Sequence, residues 1–266
     1  MVQVIAHRGA RSVAPENTMA AVKMAYDTGA DLWETDVNTT CDGHLILFHD
    51  ETLLRCTNAA LRFPSRPSYR VREFSLAEIH SLDAGSFFVD TDPFSQILKG
   101  NIDKETLSSF KKETVPTLEQ GLLFTKKMKW KINLELKRYA SEHHDADLPD
   151  LTLDIIYRTR IPLNRVVISS FHHDWLLQVK KKEPGIEVQA LVGDNDTDPL
   201  DFGDFGFPAY NANALLIDPD QIRDLKARGK KINLFTINDP ETFAHFASLG
   251  VDGIFTDFPQ RFAAKS

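Results

Sequence analysis

The chain has 266 residues, 42% of them hydrophobic and 26% charged, an ordinary balance for a protein that folds around a full core. Lys and Arg number 31 against 38 Asp and Glu, so the formal charge is −7. That speaks against a general nucleic-acid binder but leaves room for a local basic pocket around a phosphate. No apolar run approaches the roughly 18 residues that would span a bilayer.

The stretch from Met1 to Gly9 lacks the basic and apolar pattern of a secretory leader, so a cytoplasmic protein is expected. Cys41 and Cys56 are then expected as free thiols.

Short β-rich runs alternate with helical patterns along most of the chain. The first strand is predicted at Val2–His7, followed by a helix at Asn17–Thr28 and a second strand at Leu32–Val37. Asp42-Gly43 then signals a two-residue hairpin turn, with Leu45–His49 as the return arm. In that register Cys41 faces His44 and Asp36 sits directly opposite His49.

Residues 50–115 hold no clear strand–helix unit and carry Pro64, Pro67 and Pro93, so they read as an inserted module after the second strand. Because this module follows His49, it would stand over the active-site mouth. Phe87, Phe88 and Phe94 within it suit either its own core or an apolar lip. Beyond it come a helix at Thr117–Met128, a strand at Lys131–Lys137 and a helix at Leu151–Thr159. A strand at Arg165–Ser169, a helix at Asp174–Lys182 and strands at Glu187–Val192 and Ala214–Ile217 follow. A helix at Pro219–Arg228, a strand at Lys231–Thr236, a helix at Pro240–Leu249 and a strand at Gly253–Thr256 complete the chain. Eight strands separated by helices predict a (β/α)8 TIM barrel, distorted by the insertion, with a doubly wound open sheet as the alternative.

Barrel chemistry gathers at the carboxyl ends of the strands. Glu34 and Asp36, two apart on one strand, share a face, as do Asn133, Glu135 and Lys137 on another. The carboxylates Glu34, Asp36 and Glu135 make a hard oxygen-ligand set suited to one divalent cation, Mg²⁺ or Ca²⁺, better than to zinc. In the cytosol, where Ca²⁺ is scarce, Mg²⁺ is the expected metal. His7 and His49 can serve as an acid/base pair, and Arg8 and Lys137 offer fixed positive charge to a phosphate oxyanion. Together these groups describe metal-assisted phosphodiester cleavage.

Other polar clusters read as ordinary surface or structure. His143-His144-Asp145 suits a solvated loop, and His172-His173-Asp174 a helix start with Asp174 as its cap. Phe110–Glu113 reads as a solvated helix face. Ser169 and Ser170 lack the glycine pattern of a nucleophile elbow.

The strings Ala6-His7-Arg8-Gly9, Pro15-Glu16-Asn17-Thr18, Trp33-Glu34-Thr35-Asp36-Val37, Phe48-His49-Asp50, Leu82-Asp83-Ala84-Gly85, Val115-Pro116-Thr117-Leu118, Asn133-Leu134-Glu135-Leu136-Lys137, Ser170-Phe171 and Asp252-Gly253-Ile254-Phe255-Thr256-Asp257 run in order along the chain. In these the chain resembles the glycerophosphodiester phosphodiesterases.

The resemblance implies a distorted TIM barrel, metal ligands at Glu34, Asp36 and Glu135, and catalysis by His7 and His49. It also implies glycerophosphodiester substrates cleaved to glycerol 3-phosphate and an alcohol. Phe171 and Phe235 would line the substrate site, Phe235 standing where the family commonly carries Trp. After His49-Asp50, Arg55 and Thr57 are present, but Asn58-Ala59-Ala60-Leu61 replaces a glycine-bearing stretch, so the insertion's first loop should be shaped differently. The competing readings are a lysophospholipase D-like or cyclising phosphodiesterase, a metal-assisted isomerase or lyase with Lys137 as base, and a catalytically silent phosphodiester-binding barrel. Oligomeric state is not legible from the sequence.

Overall fold

A computed structural model describes residues 2–111, 113–139 and 147–263. The expected (β/α)8 barrel is the fold observed. Its strands are β1 (Gln3–Ala6), β2 (Leu32–Thr39), β4 (Ile132–Leu136), β5 (Val166–Ser170), β6 (Glu187–Val192), β7 (Ala209–Asn213), β8 (Lys231–Phe235) and β9 (Gly253–Thr256). All are parallel, and β1 pairs with both β2 and β9, which closes the sheet. A short β3 (Leu45–Leu47) lies antiparallel on β2 outside the barrel.

The strand pattern follows from two-sided burial. Trp33 and Val37 of β2, and Ile132, Leu134 and Leu136 of β4, point outward into the core shared with the helices. The Trp33 indole donates to Thr125 Oγ1 at 2.9 Å on the helix Leu118–Lys127. Gly121 on that helix lets it approach, since a Cβ there would stand 3.2 Å from Trp33 and 3.1 Å from Leu47.

Inside the barrel, Ile5, Leu32 and Phe255 form a small apolar cluster. Beside them runs a polar layer. Ser169 donates to Asn133 at 2.8 Å, and Asn233 donates to Asn211 at 2.9 Å and Gln189 at 3.3 Å. Amide pairing makes this buried polarity tolerable.

The hairpin differs from its predicted register by one residue. Val37 pairs with Leu47 and Thr39 with Leu45, so Thr40 rather than Cys41 faces His44. The loop is Cys41-Asp42-Gly43, with the Gly43 NH donating to the Thr40 carbonyl at 3.1 Å and Gly43 at φ +79°. This is the three-residue hairpin that glycine in the left-handed region permits. The Cys41 NH is drawn away to the Phe74 carbonyl at 3.0 Å, a contact with the insertion that no local pattern encodes. Asp36 therefore faces Phe48, whose NH donates to its carbonyl at 3.0 Å, and His49 lies one residue further on.

A second correction concerns the strand predicted at Ala214–Ile217, which lies instead at Ala209–Asn213. Its Asn211 and Asn213 are buried polar residues, while Tyr210 and Ala212 enter the outer core. The polar alternation hid it from hydropathy. The apolar run behind it is a turn that leaves Leu215 77% exposed.

The helix after β5 spans His173–Lys182 with His172 at its cap position, so Asp174 sits in the first turn and does not cap it. Helix Lys104–Phe110 ends on a buried phenylalanine, and Glu113 beyond it accepts from the Ala20 NH at 3.3 Å, so the Phe110–Glu113 stretch is not simply a solvated face. His143, His144 and Asp145 lie outside the described residues.

The 50–115 segment carries the short helices Ala59–Arg62, Leu76–His80, Ser86–Thr91 and Lys104–Phe110. Leu53, Cys56, Val71, Phe74, Ile79 and Leu82 cluster with Ile46 and Phe48 of the hairpin arm. Phe88 packs edge-on against Phe110 in the main core, and Phe94 packs edge-on against Phe258 beneath the Arg11 guanidinium. Phe87 is half-buried against both clusters. These phenylalanines hold the segment to the barrel and do not line the cleft described next.

Candidate active site

Every sequence-predicted site residue lies at the carboxyl end of the barrel. His7 and Arg8 follow β1, Glu34 and Asp36 stand on β2, Glu135 on β4, Lys137 just after it, Phe171 after β5 and Phe235 at the end of β8. A cleft of about 200 Å³ brings together His7, Arg8, Glu34, His49, Glu135, Lys137, Phe171 and Phe235. Leu191, Asp194, Thr236 and Phe255 complete its lining. Asp36 lies just beneath and does not border the cleft directly.

The turn after β1 is built for close approach. Arg8 and Gly9 have φ of 56° and 81°, and a Cβ on Gly9 would stand 2.7 Å from the Ala21 carbonyl carbon. Only glycine fits there without strain. This turn aims the Arg8 NH at Glu34 Oε2, 2.9 Å away. The Asn17 side chain donates to Asp36 Oδ2 at 2.9 Å and accepts from Thr35 Oγ1 at 2.7 Å, which fixes the Asp36 carboxylate.

One oxygen from each of Glu34, Asp36 and Glu135 lies within 4.8 Å of the others, so the three could hold a metal ion. Glu34 Oε1, Asp36 Oδ1 and Glu135 Oε1 are buried without a hydrogen-bond partner of normal geometry. Asp36 Oδ1 and Glu135 Oε1 face the Lys137 ammonium, which leaves Glu34 Oε1 as the costly buried oxygen, and a divalent cation with a preference for oxygen would satisfy it. Burial, then the neighbouring Asp36 and Glu135, push the Glu34 pKa well above the usual carboxylate range against the pull of Arg8. Asp36 goes the other way: burial opposes its charge, but His49, Arg8 and Lys137 hold it low. The Lys137 ammonium sits 2.6 Å from Glu135 Oε1 and 3.4 Å from Asp36 Oδ1, an ion pair inside the same cluster.

Each histidine is held by a carboxylate. His7 Nδ1 lies 2.8 Å from Asp257 Oδ1, and Asp257 in turn accepts from Asn238 Nδ2 at 2.7 Å. His49 Nδ1 lies 2.7 Å from Asp50 Oδ1, and Asp50 accepts from Arg55 Nε at 2.7 Å. Burial works against the charge on both carboxylates, yet His7, Arg11 and Asn238 lower Asp257 to about 2, and His49 and Arg55 lower Asp50 to about 2. Ionised partners place the proton on Nδ1 of each ring, leaving Nε2 for chemistry. The His49 backbone is fixed as well. Its carbonyl accepts from the Tyr139 hydroxyl, and Asn38 Nδ2 reaches the Asp50 carbonyl at 3.2 Å.

Burial and Arg8 lower the His7 pKa to about 4, with Asp257 offsetting part of the shift. The folded state therefore resists a proton that the unfolded chain accepts near pH 6.5. Acidification through the window from pH 6.5 to 4 should cost stability, by up to about 3 kcal/mol from this group. The loss from Asp257 falls lower, between its ordinary value of 3.8 and about 2. A His7→Gln variant should flatten the fall in Tm between pH 6.5 and 4 relative to the parent. Parallel Tm curves would show that His7 is no more resistant to protonation when folded.

Sequence reasoning left several of these residues without a role. Asp257, Glu16 and Asn17 stood inside quoted strings, but nothing local shows that Asp257 meets His7 across 250 positions. Asp50 stood in a quoted string and Arg55 beside it, but neither was given a role, and Arg11 and Asn238 were given none either. Phe171 and Phe235 pack edge-on at 6.1 Å and Phe235 on Phe255 at 6.5 Å, a continuous aromatic wall of which only the first two were predicted.

A profile of the glycerophosphoryl diester phosphodiesterase family matches residues 7–261, nearly the whole chain. The chain belongs to this family. It is 33% identical over 267 residues to a glycerophosphodiester phosphodiesterase of Bacillus altitudinis, covering 98% of this chain and 96% of that protein. It is 32% identical to the human glycerophosphoinositol inositolphosphodiesterase, where the match covers 96% of this chain but only 46% of the longer relative. Among solved structures, an Oleispira antarctica phosphodiesterase in complex with the product sn-glycerol-3-phosphate superposes with a TM-score of 0.78 at 26% identity, covering 97% of this chain and 94% of that one. The family's barrel is the one described above. No helix among the described residues is long and apolar enough to cross a membrane.

Proposed function

We propose that this chain is a metal-dependent phosphodiester hydrolase that cleaves glycerophosphodiesters to glycerol 3-phosphate and an alcohol. The observation that carries the reading is the convergence of His7, His49, Arg8 and Lys137 on one cleft with the Glu34–Asp36–Glu135 oxygen cluster. The product found in the Oleispira relative agrees with it.

In this reading Glu34, Asp36 and Glu135 hold one divalent cation, Mg²⁺ before Ca²⁺. The bound cation supplies positive charge that favours ionised oxygen at the phosphoryl centre. Arg8 and Lys137 add fixed charge on the phosphate, and the Phe171–Phe235 wall packs the carbon skeleton. His7, neutral around pH 7 with its pKa near 4, takes the proton of the attacking hydroxyl through Nε2. As the new P–O bond forms and the old one breaks, His49, entering the step as imidazolium with Nδ1–H held by Asp50, gives its Nε2 proton to the departing alkoxide. The attacking hydroxyl is either water or the substrate's own glycerol 2-hydroxyl, the second giving a cyclic phosphate that water then opens. The 50–115 segment, which follows directly on the cleft residue His49, would set which alcohol is accepted. Two free cysteines, Cys41 and Cys56, suit the reducing cytoplasm.

Lys137 serves an isomerase or lyase poorly. Burial opposes its charge, but Glu135 and Asp36 outweigh it and raise its pKa, which favours the ammonium form that binds a phosphate over the free amine a base needs. The silent-barrel reading leaves two carboxylate-oriented histidines without purpose. The lysolipid reading needs an apolar channel from residues 60–110, and Phe88 and Phe94 of that stretch are taken up in packing against Phe110 and Phe258.

The experiment is glycerol 3-phosphate release from glycerophosphocholine, with EDTA and then with Mg²⁺ or Ca²⁺ restored. Release should vanish on chelation and return with metal. No release under any metal would overturn the substrate assignment, and release that survives chelation would overturn the metal dependence.

A further inference from the structure

One buried carboxylate outside the cleft joins the supports of both histidines. Glu16 is 8% exposed and follows the turn after β1. Its Oε1 accepts from Arg8 Nη1 at 2.8 Å and from Arg55 Nη2 at 2.8 Å. Its Oε2 accepts from Arg55 Nη1 at 2.9 Å and lies 3.3 Å from Arg11 Nη2. Three guanidinium groups therefore share one carboxylate. Two of them lead on to a histidine. Arg55 turns its other edge to Asp50, with Nε 2.7 Å from Oδ2 and Nη2 2.8 Å from Oδ1, and Asp50 holds His49. Arg11 Nε lies 3.5 Å from Asp257 Oδ1, an ion pair without a hydrogen bond and so the looser of the two arms, and Asp257 holds His7.

The two arms belong to different parts of the fold. His7, Arg11 and Asp257 come from the loops after β1 and β9, and His49, Asp50 and Arg55 come from the start of the inserted segment. Glu16 is their shared node. Its position between opposed arginines matters electrostatically, because without it Arg8, Arg11 and Arg55 would be like charges in a partly desolvated site. Neither Glu16 nor Arg11, Asp50, Arg55 or Asp257 lines the cleft. Whatever Glu16 contributes reaches the substrate through others.

We propose that Glu16 is a positioning residue for both histidines: through Arg11–Asp257 it orients His7, through Arg55–Asp50 it orients His49, and so it sets the spacing of the acid/base pair. The inference rests on the phosphodiesterase reading for its catalytic consequence, but its structural part stands apart from it. Misplacing a reacting group by even an ångström can cost roughly 10- to 100-fold in rate without touching binding.

The test follows the two Nδ1 protons by NMR in the full chain with Mg²⁺ present. A proton donated from imidazole to an ionised carboxylate resonates far downfield and exchanges slowly. Glu16→Gln should broaden or lose both signals, although it touches neither ring, and lower kcat roughly 10- to 100-fold. Arg55→Gln should lose only the His49 signal, with kcat lowered and KM little changed, and Arg11→Gln should weaken only that of His7. A folded Glu16→Gln protein with both signals and parental kcat would overturn the proposal. If Glu16→Gln fails to fold, the half-exposed Arg55 site decides: a retained His49 signal with parental kcat overturns it. A parent that hydrolyses no glycerophosphodiester would sink the proposed function instead, and the proton signals alone would then decide the positioning.

Discussion

Replacing His49 with alanine is expected to lower turnover by about 10²- to 10⁴-fold, and replacing His7 to do the same, the usual contribution of positioned acid/base groups. Both changes should leave the fold intact. Neither ring is part of an apolar cluster, and His49 is only half-buried at the cleft edge. The losses should not multiply in the double variant, because a proton removed without one delivered gains little. The two variants differ in what they leave behind. In His49→Ala the Asp50–Arg55–Glu16 bonds survive, since Asp50 keeps two bonds to Arg55. In His7→Ala the Asp257 carboxylate keeps Asn238 and the Arg11 contact. Steady-state kinetics on glycerophosphocholine with unchanged circular dichroism is the measurement. Near-parental kcat in either variant removes that histidine from the proton-transfer scheme.

Glu34→Gln is expected to separate stability from metal binding. In the metal-free protein Glu34 lies buried beside Asp36 and Glu135, and its ionised form is disfavoured by burial and by both neighbours. The neutral amide keeps an oxygen for the Arg8 NH and removes the repulsion. Metal-free Tm should therefore equal or exceed that of the parent. Saturating Mg²⁺ should stabilise the parent by about 3 kcal/mol at a hundredfold excess over Kd. For a chain of this size that is a Tm rise of roughly 5–10 °C. Glu34→Gln should lose most of that rise, and turnover with it. An equal Mg²⁺-dependent rise in both proteins would remove Glu34 from the ligand set. Repeating the titration with Ca²⁺ identifies the preferred ion without reference to activity.

Much of the fold and the heart of the site can be read from local pattern. Seven of the eight barrel strands fall within a residue or two of their predicted bounds, because each is a short β-rich run, and β2, β4 and β8 also alternate outward apolar with inward polar residues. That same alternation places Glu34 and Asp36 together, and Asn133 with Glu135. The exception is Ala209–Asn213. Asn211 accepts from the Asn233 amide on the next strand, and Asn213 donates to the Gly193 carbonyl and the Asp196 carboxylate just past β6, partners a hydropathy pattern cannot see.

The hairpin makes the same point at the site. Asp42-Gly43 correctly marks a turn, but the loop has three residues, and its Cys41 NH bonds Phe74, a residue of the insertion. A one-residue change of register reverses which side chains face each other. His49 still reaches the cleft because Asp50, Asn38 and Tyr139 hold it beyond the end of the strand.

The sequence by itself determined the barrel, the identity of the carboxylate, histidine and cationic groups, and their place at one end of the strands, since strand periodicity and covalent order are local properties. Only the tertiary structure decided which carboxylate orients each histidine, that Glu16 gathers three arginines, and that the insertion's phenylalanines pack inward. Those outcomes depend on contacts between residues up to 250 positions apart. Such contacts are settled by which buried charges can find partners once the barrel has closed.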